Sequence, residues 1–131
     1  MVNTTVNVKE TAAIGKPTTA AIPPIAVMAL GAAMANGADK YGRFNWRGTE
    51  VKASTFYDAM MRHIIAWYSG EDYAPDSGVH HLAHLMAGAA IILDGQLNGV
   101  FNDDRAGISR PGSVVTPNEM YMYKQPVNKE Q

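Results

Sequence analysis

Cysteine is absent from the 131 residues, which excludes disulfides and thiolate metal sites. That absence suits a reducing compartment. Charge is sparse and balanced: 11 Lys and Arg against 12 Asp and Glu leave a net charge of -1. No overall basic field draws the chain to nucleic acid or to a membrane surface, so any anion site must be local. Long apolar runs are also missing. The longest, AAIPPIAVMALGAAMA, is broken by Pro23 and Pro24 and is too short to span a bilayer as a straight helix. The opening MVNTTVNVKETAAIGKP has no basic segment followed by an apolar run, so it does not read as a secretory signal. These features describe a soluble cytoplasmic protein of one domain, long enough to bury a core without a staple.

Three helices are expected between two arms. Residues 1–22 are polar and aperiodic and read as an N-terminal arm. Prolines 23 and 24 suit a first helical turn, and IAVMALGAAMANGADKYG then reads as a helix that Gly42 ends. Its small residues Ala29, Gly31, Ala32, Ala33 and Ala35 let another backbone approach. The segment 43–53 reads as a loop. Ser54 or Thr55 can cap a second helix running to Ser69, with Phe56, Met60, His63, Ile64 and Trp67 on one face. Asp76 or Ser77 can cap a third helix running to Asn98, with Leu82, Leu85, Ala89, Ile92 and Leu93 as its apolar positions. After residue 98 the period is lost. The expected organisation is therefore all-α: an arm at 1–22, a helical nucleotide-binding domain at 23–98, and an arm at 99–131. Arms with no core of their own pack on a neighbouring subunit, which predicts a homo-oligomer with arms crossing between subunits.

All four histidines lie in RHIIAWYSGEDYAPDSGVHHLAHL, residues 62–85. On a helix, His84 shares a face with both His80 and His81, while those two diverge by ~100°. A His pair so spaced is half of a zinc or iron site, and His63, Glu71 or Asp76 could complete it with His81 and His84. The plainer reading has His81 and His84 satisfying buried hydrogen bonds, His80 solvated, and His63 seated in the core beside Met60 and Trp67. Arg62 follows Asp58 by four residues, the spacing of a surface ion pair. It could instead join His63, His81 and His84 around one phosphate. Antiparallel second and third helices place those histidines at one height. Ser77 and Gly78, at the expected start of the third helix, leave room for an anion at its positive end.

The loop KYGRFNWRG is the most ligand-like segment. Trp46 offers a stacking face, Asn45 a partner for a base edge, and Lys40, Arg43 and Arg47 partners for phosphates. Tyr41 lies among them. No Gly-rich phosphate loop, dinucleotide fingerprint or Ser/His/Asp elbow is present.

The segments GADKYGRFNW, RHIIAWYSGED and DSGVHHLAH, in this order, resemble a phage-type family: the N-terminal domain of dATP/dGTP diphosphohydrolases, sometimes joined to a MazG-like catalytic domain. The likeness runs from Ile14-Gly15-Lys16-Pro17 to about Leu97. Positions characteristic of that family fall on Lys40, Tyr41, Gly42, Asn45, Trp46, Arg62, His63, Gly70, Glu71, Ser77, Gly78, His81 and His84. His80 is outside the pattern. Where family members often carry Asn, this chain has Gly88, a change expected to widen the site.

The resemblance implies nucleotide handling, in the host cell cytoplasm if the chain is phage-encoded. Catalysis is a separate question. MazG-like enzymes hold Mg²⁺ with clustered carboxylates on facing helices, since Mg²⁺ demands hard oxygen ligands. Here the second helix offers only Asp58 and the third only Asp94. Two readings follow. In the first, an oligomer binds and sequesters a phosphorylated nucleotide or nucleotide-derived signal, countering a host defence, and needs no cofactor. In the second, a (d)NTP pyrophosphohydrolase acts on purine nucleotides with Mg²⁺ or Mn²⁺. Neither involves nucleic acid or a membrane. Both use Lys40, Tyr41, Asn45, Trp46, Arg47, Arg62, His63, Ser77, His81 and His84 as the binding set. The second adds His63, Glu71, Asp76, His81 and His84 as an alternative metal set.

Overall fold

The computed structural model describes residues 7–107 and 117–122. Most of the expected C-terminal arm lies outside the described residues. The chain is mostly helical: α1 (Val8–Ala12), α2 (Pro24–Tyr41), α3 (Ala53–Tyr68), α4 (His81–Leu97) and α5 (Pro117–Tyr121), with two short strands, β1 (Val51–Lys52) and β2 (Phe101–Asn102). Among the described residues, no helix is long and apolar enough to cross a membrane.

α4 is the central element. It packs against both α3 and α2, and this leaves a cleft between those two. Its sequence, HLAHLMAGAAIILDGQL, is apolar nearly all round, as a helix with neighbours on two sides must be. The closest contacts are made by its small residues. Ala83 and Ala87 meet Ala33 of α2 in the buried cluster, with Ala29, Leu30, Met34, Val79 and Met86 around it. Of the expected apolar positions, Leu82, Leu85, Ala89 and Ile92 are partly buried and Leu93 is half exposed, while the small residues Ala83, Ala87 and Gly95 are the buried ones. Alanine lets the helix axes approach, and the larger side chains fill the flanks. Ala33, within the predicted small-residue run of α2, fits this packing.

Helix ends follow local chemistry only in part. α2 ends where expected, at Gly42, whose φ of 89° is open to glycine at little cost. α3 starts at Ala53, with Lys52 preceding it and no capping bond from Lys52's side chain. Its free donors are met from far away: Asp104 accepts the Ser54 N–H at 2.8 Å and also the Ser54 hydroxyl. A carboxylate at a helix N-terminus also suits the dipole. Ser54 and Thr55 therefore lie inside the helix rather than capping it. Asp104 is brought there by a parallel pairing of β1 with β2, Val51 beside Phe101 and Lys52 beside Asn102. Val51 is fully buried against Gly95 of α4, where a Cβ would come 3.2 Å from its Cγ2.

α4 begins at His81, later than the sequence suggests. Residues 69–80 form their own turns instead. The Ala74 N–H donates to the Val79 carbonyl, and Gly78 takes a φ of 74°. His80, expected in solvent, is the cap: its Nδ1 accepts the Leu82 N–H at 3.0 Å. Ser77 and Gly78 consequently sit before the cap, not at the first turn of α4, which removes the helix-terminus argument for an anion between them.

Candidate functional site

The cleft between α2 and α3 encloses about 780 Å³, with α4 as its floor. α2 contributes its C-terminal half, from Gly31 to Tyr41, including Asn36, Asp39 and Lys40. α3 contributes Phe56, Ala59, Met60 and His63. α4 contributes His84, Ala87, Gly88 and Ile91, and Asp76 closes one end from the loop. Gly42, Arg43, Phe44, Asn45 and Trp46 complete the lining. The cleft is thus apolar along its walls, with cationic groups and aromatic rings at the mouth of α2, the usual character of a small-molecule site.

The Asn45–Gly48 turn is held by a network that sequence reasoning misses. Trp46 Nε1 donates to Asp94 Oδ2 at 2.6 Å. Arg47 adds a forked pair, Nε to Oδ2 at 2.9 Å and Nη2 to Oδ1 at 2.7 Å. Arg47 also lies over the Phe44 ring, 4.3 Å from its centroid, and Phe44 packs against Trp46. Phe44 takes a left-handed φ of 57° to enter the turn. The Arg47 fork, more than the indole bond, holds the Asp94 carboxyl near a pKa of about 2. The signal in the chain is that Asp94 is the one acidic residue in α4, and a lone carboxylate on an apolar helix needs a partner. Arg47 is engaged with Asp94 and does not line the cleft.

The histidines converge as their spacing indicates. His63 Nδ1 and His81 Nδ1 are 2.8 Å apart, and His81 Nε2 lies 2.7 Å from Glu71 Oε1. The His63 and His84 rings stack at 4.6 Å between centroids and 18° between planes. His84 Nε2 is 2.8 Å from Ser77 Oγ, which also accepts the Val79 N–H. Burial chiefly lowers the pKa of both His63 and His84. Around His63 the charges of His84, His81 and Arg62 act in the same direction, while Asp76 opposes them. Both rings therefore favour the neutral form more than a free imidazole does. Asp76 is held ionised mainly by backbone hydrogen bonds from its own turn.

The structure brings Lys40, Tyr41, Asn45, Trp46, His63 and His84 to the cleft wall. It places His81 and Ser77 behind His63 and His84, as their hydrogen-bond partners. Arg62 is exposed and does not line the cleft. Within the alternative metal set, His81 uses both ring nitrogens, on Glu71 and His63. Among the described residues no three His, Asp or Glu side chains are grouped to hold one ion. Arg43 lines the cleft beside Lys40, as do Asp39 and Asn36. Gly88 also lines it, but a Cβ there would lie 2.7 Å from Met60 Cγ, so Met60 occupies the space that the missing side chain leaves.

Residues 6–105 match the family described as dATP/dGTP diphosphohydrolase, N-terminal. A dATP/dGTP diphosphohydrolase of Salmonella phage PMBT28 is 33% identical over 91 residues, which cover 70% of this chain and 31% of that protein. The chain thus spans about a third of the length of that relative. No solved structure matches. The matched residues contain α2, α3, α4 and the entire cleft, and the chain belongs to the dATP/dGTP diphosphohydrolase N-terminal family.

Proposed function

We propose that the cleft binds a purine nucleoside triphosphate, of the dATP or dGTP class named for the phage relative, and that the chain takes part in hydrolysing its phosphoanhydride. One observation carries the reading: a single cleft joins two cations, Lys40 and Arg43, to aromatic faces at Phe44 and Trp46 and to the imidazole of His63. Phosphates lie by Lys40 and Arg43. The base packs on Trp46, with Asn45 for a base edge. The expected set is thereby narrowed, with Arg47, Ser77 and His81 supporting the site and Arg62 outside it. A divalent ion arriving with the nucleotide would meet Asp39 and Asp76, the carboxylates of the cleft wall. The reaction would take place in the cytoplasm of the host cell.

Sequestration without turnover is the second reading, and one observation favours it. The cleft wall offers two carboxylates, one from α2 and one from a loop, and no facing helical cluster among the described residues. In that case the chain would hold a nucleotide-derived signal and blunt a host defence. A homo-oligomer is part of either reading. It is supported by the stripe Tyr57, Met61, Ile65 and Tyr68 on α3, whose members are 61%, 36%, 57% and 86% exposed. Incubation with a nucleotide panel, with and without Mg²⁺ or Mn²⁺, followed by release and identification of bound and cleaved species, separates the readings. Cleaved dATP or dGTP supports hydrolysis. Intact nucleotide recovered from the protein supports sequestration. No nucleotide bound or cleaved overturns both.

A further inference from the structure

His81 is 5% exposed, and both its ring nitrogens are engaged. Its Nε2 faces Glu71 Oε1, and a carboxylate oxygen only accepts. His81 Nε2 therefore carries the hydrogen. In a neutral imidazole the other nitrogen is then a lone pair, so His81 Nδ1 accepts. With His81 neutral, the hydrogen in the 2.8 Å contact comes from His63, whose Nδ1 then donates. His63 is left with an unprotonated Nε2. His81 engages His63 at Nδ1, and His63 is a lining residue of the cleft, so Nε2 is the ring nitrogen left for the ligand space.

We propose that Glu71, His81 and His63 form a proton relay that presents His63 Nε2 to the cleft as a general base. The proposal deepens the hydrolytic reading above and rests on it for the reaction served. In that step a water oxygen forms a bond to phosphorus. The anhydride P–O bond breaks, and its electron pair leaves with the departing phosphate group. The water proton goes to His63 Nε2. The resulting imidazolium is stabilised because its Nδ1 proton can shift towards His81 Nδ1 as His81 Nε2–H leans towards Glu71. His63 is the catalytic residue, while His81 and Glu71 are positioning residues that set its tautomer.

The surroundings suit a base that starts neutral. His84 stacks on His63 from α4, Arg62 stands beside it on α3, Asp76 faces it from the loop, and Lys40 of α2 acts on His84. Two stacked imidazoles cannot both hold a charge cheaply, so the pair takes up one proton at a time.

The test is ring-nitrogen NMR on the full chain with ¹⁵N-labelled histidine. At pH 8 His63 is expected protonated at Nδ1 and bare at Nε2, and His81 protonated at Nε2. Glu71→Gln is expected to lower the protonation midpoint of His63, because it removes the charge at the far end. With dATP or dGTP, His63→Gln lowers kcat ~100-fold or more, and Glu71→Gln lowers it with KM nearly unchanged. A parent His63 protonated at Nε2 overturns the relay, as does a Glu71→Gln variant whose His63 titrates like the parent's. The ring signals need no nucleotide, so they establish or overturn the relay even in a chain that turns nothing over.

Discussion

Trp46 of the Asn45–Gly48 turn donates its indole N–H to Asp94 of α4 across 2.6 Å, and Arg47 grips the same carboxylate with a two-point fork. One carboxylate thus holds a cleft-lining ring and the turn that carries it. Asp94→Asn keeps the shape but cannot accept the fork and the indole together. Nucleotide affinity is expected to fall roughly tenfold, equivalent to ~1.4 kcal/mol, with a lower melting temperature. Calorimetric titration and thermal melting of the folded variant check both.

The same carboxylate predicts an acid limb of stability. Asp94 is lowered from 3.8 to about 2 in the folded chain. A depressed carboxylate contributes stability that is present above its unfolded value and is lost as pH falls through the folded one. The loss from this group therefore falls between about pH 4 and pH 2. His63 and His84 add an earlier slope: their folded pKa values lie below 6.5, so the unfolded chain binds the extra protons first. Stability declines as pH drops below that value. Urea unfolding from about pH 8 to pH 2 should show the two falls, and His84→Gln should flatten the first.

Much of this arrangement is readable from the chain, and the departures share a cause. The end of α2 at Gly42 and the meeting of His63, His81 and His84 follow from local chemistry and helical spacing. The start of α3 does not, because Asp104 reaches it from 50 residues downstream. The start of α4 departs from local expectation for a similar reason. The His81 N–H donates to the Asp72 carbonyl, and that fold of the loop displaces Ser77 from the capping position. Arg62 resembles a phosphate ligand by type and neighbours. Only the packing of α3 on α4 decides which side of the helix meets the cleft, and Arg62 is on the other.

The exposed stripe of α3 makes the oligomer testable. Tyr57, Met61, Ile65 and Tyr68 recur at helical spacing on a surface that nothing among the described residues covers. Light scattering after size exclusion is expected to give a mass above one chain. Met61→Glu with Ile65→Glu should shift it to the monomer while leaving the helical circular dichroism in place. A parent that runs as a monomer at micromolar concentration removes the proposal.

Gly88 lines the cleft, and Met60 fills the space above its missing side chain. A Cβ at 88 would sit 2.7 Å from Met60 Cγ and 3.1 Å from its sulfur. Gly88→Ala should gain ~1 kcal/mol of helix propensity and lose ~1–3 kcal/mol to overpacking. The expected net effect is a lower melting temperature, recovered when Met60→Ala is added. Equal melting temperatures for parent and Gly88→Ala would show that Met60 moves aside freely.

Lys40 and Arg62 separate the cleft site from the one that residue types alone suggest. Both are exposed cations near the histidines, and each can pair with a phosphate. Lys40 lies near the end of α2 on the cleft wall beside Arg43, and its charge is felt at His84. Arg62 acts on His63 through space but does not line the cleft. A lost charge-assisted phosphate contact costs ~1.5–3 kcal/mol, which is roughly tenfold to somewhat over a hundredfold in affinity. Lys40→Ala and Arg43→Ala are expected to lose that much for dATP or dGTP, with the loss shrinking at high salt. Trp46→Ala should weaken different bases alike, because every base has a face to stack. Arg62→Ala should change affinity by less than about threefold. If titration calorimetry on the folded variants reverses that order, the phosphates lie on the outer side of α3 and the cleft between α2 and α3 holds something else.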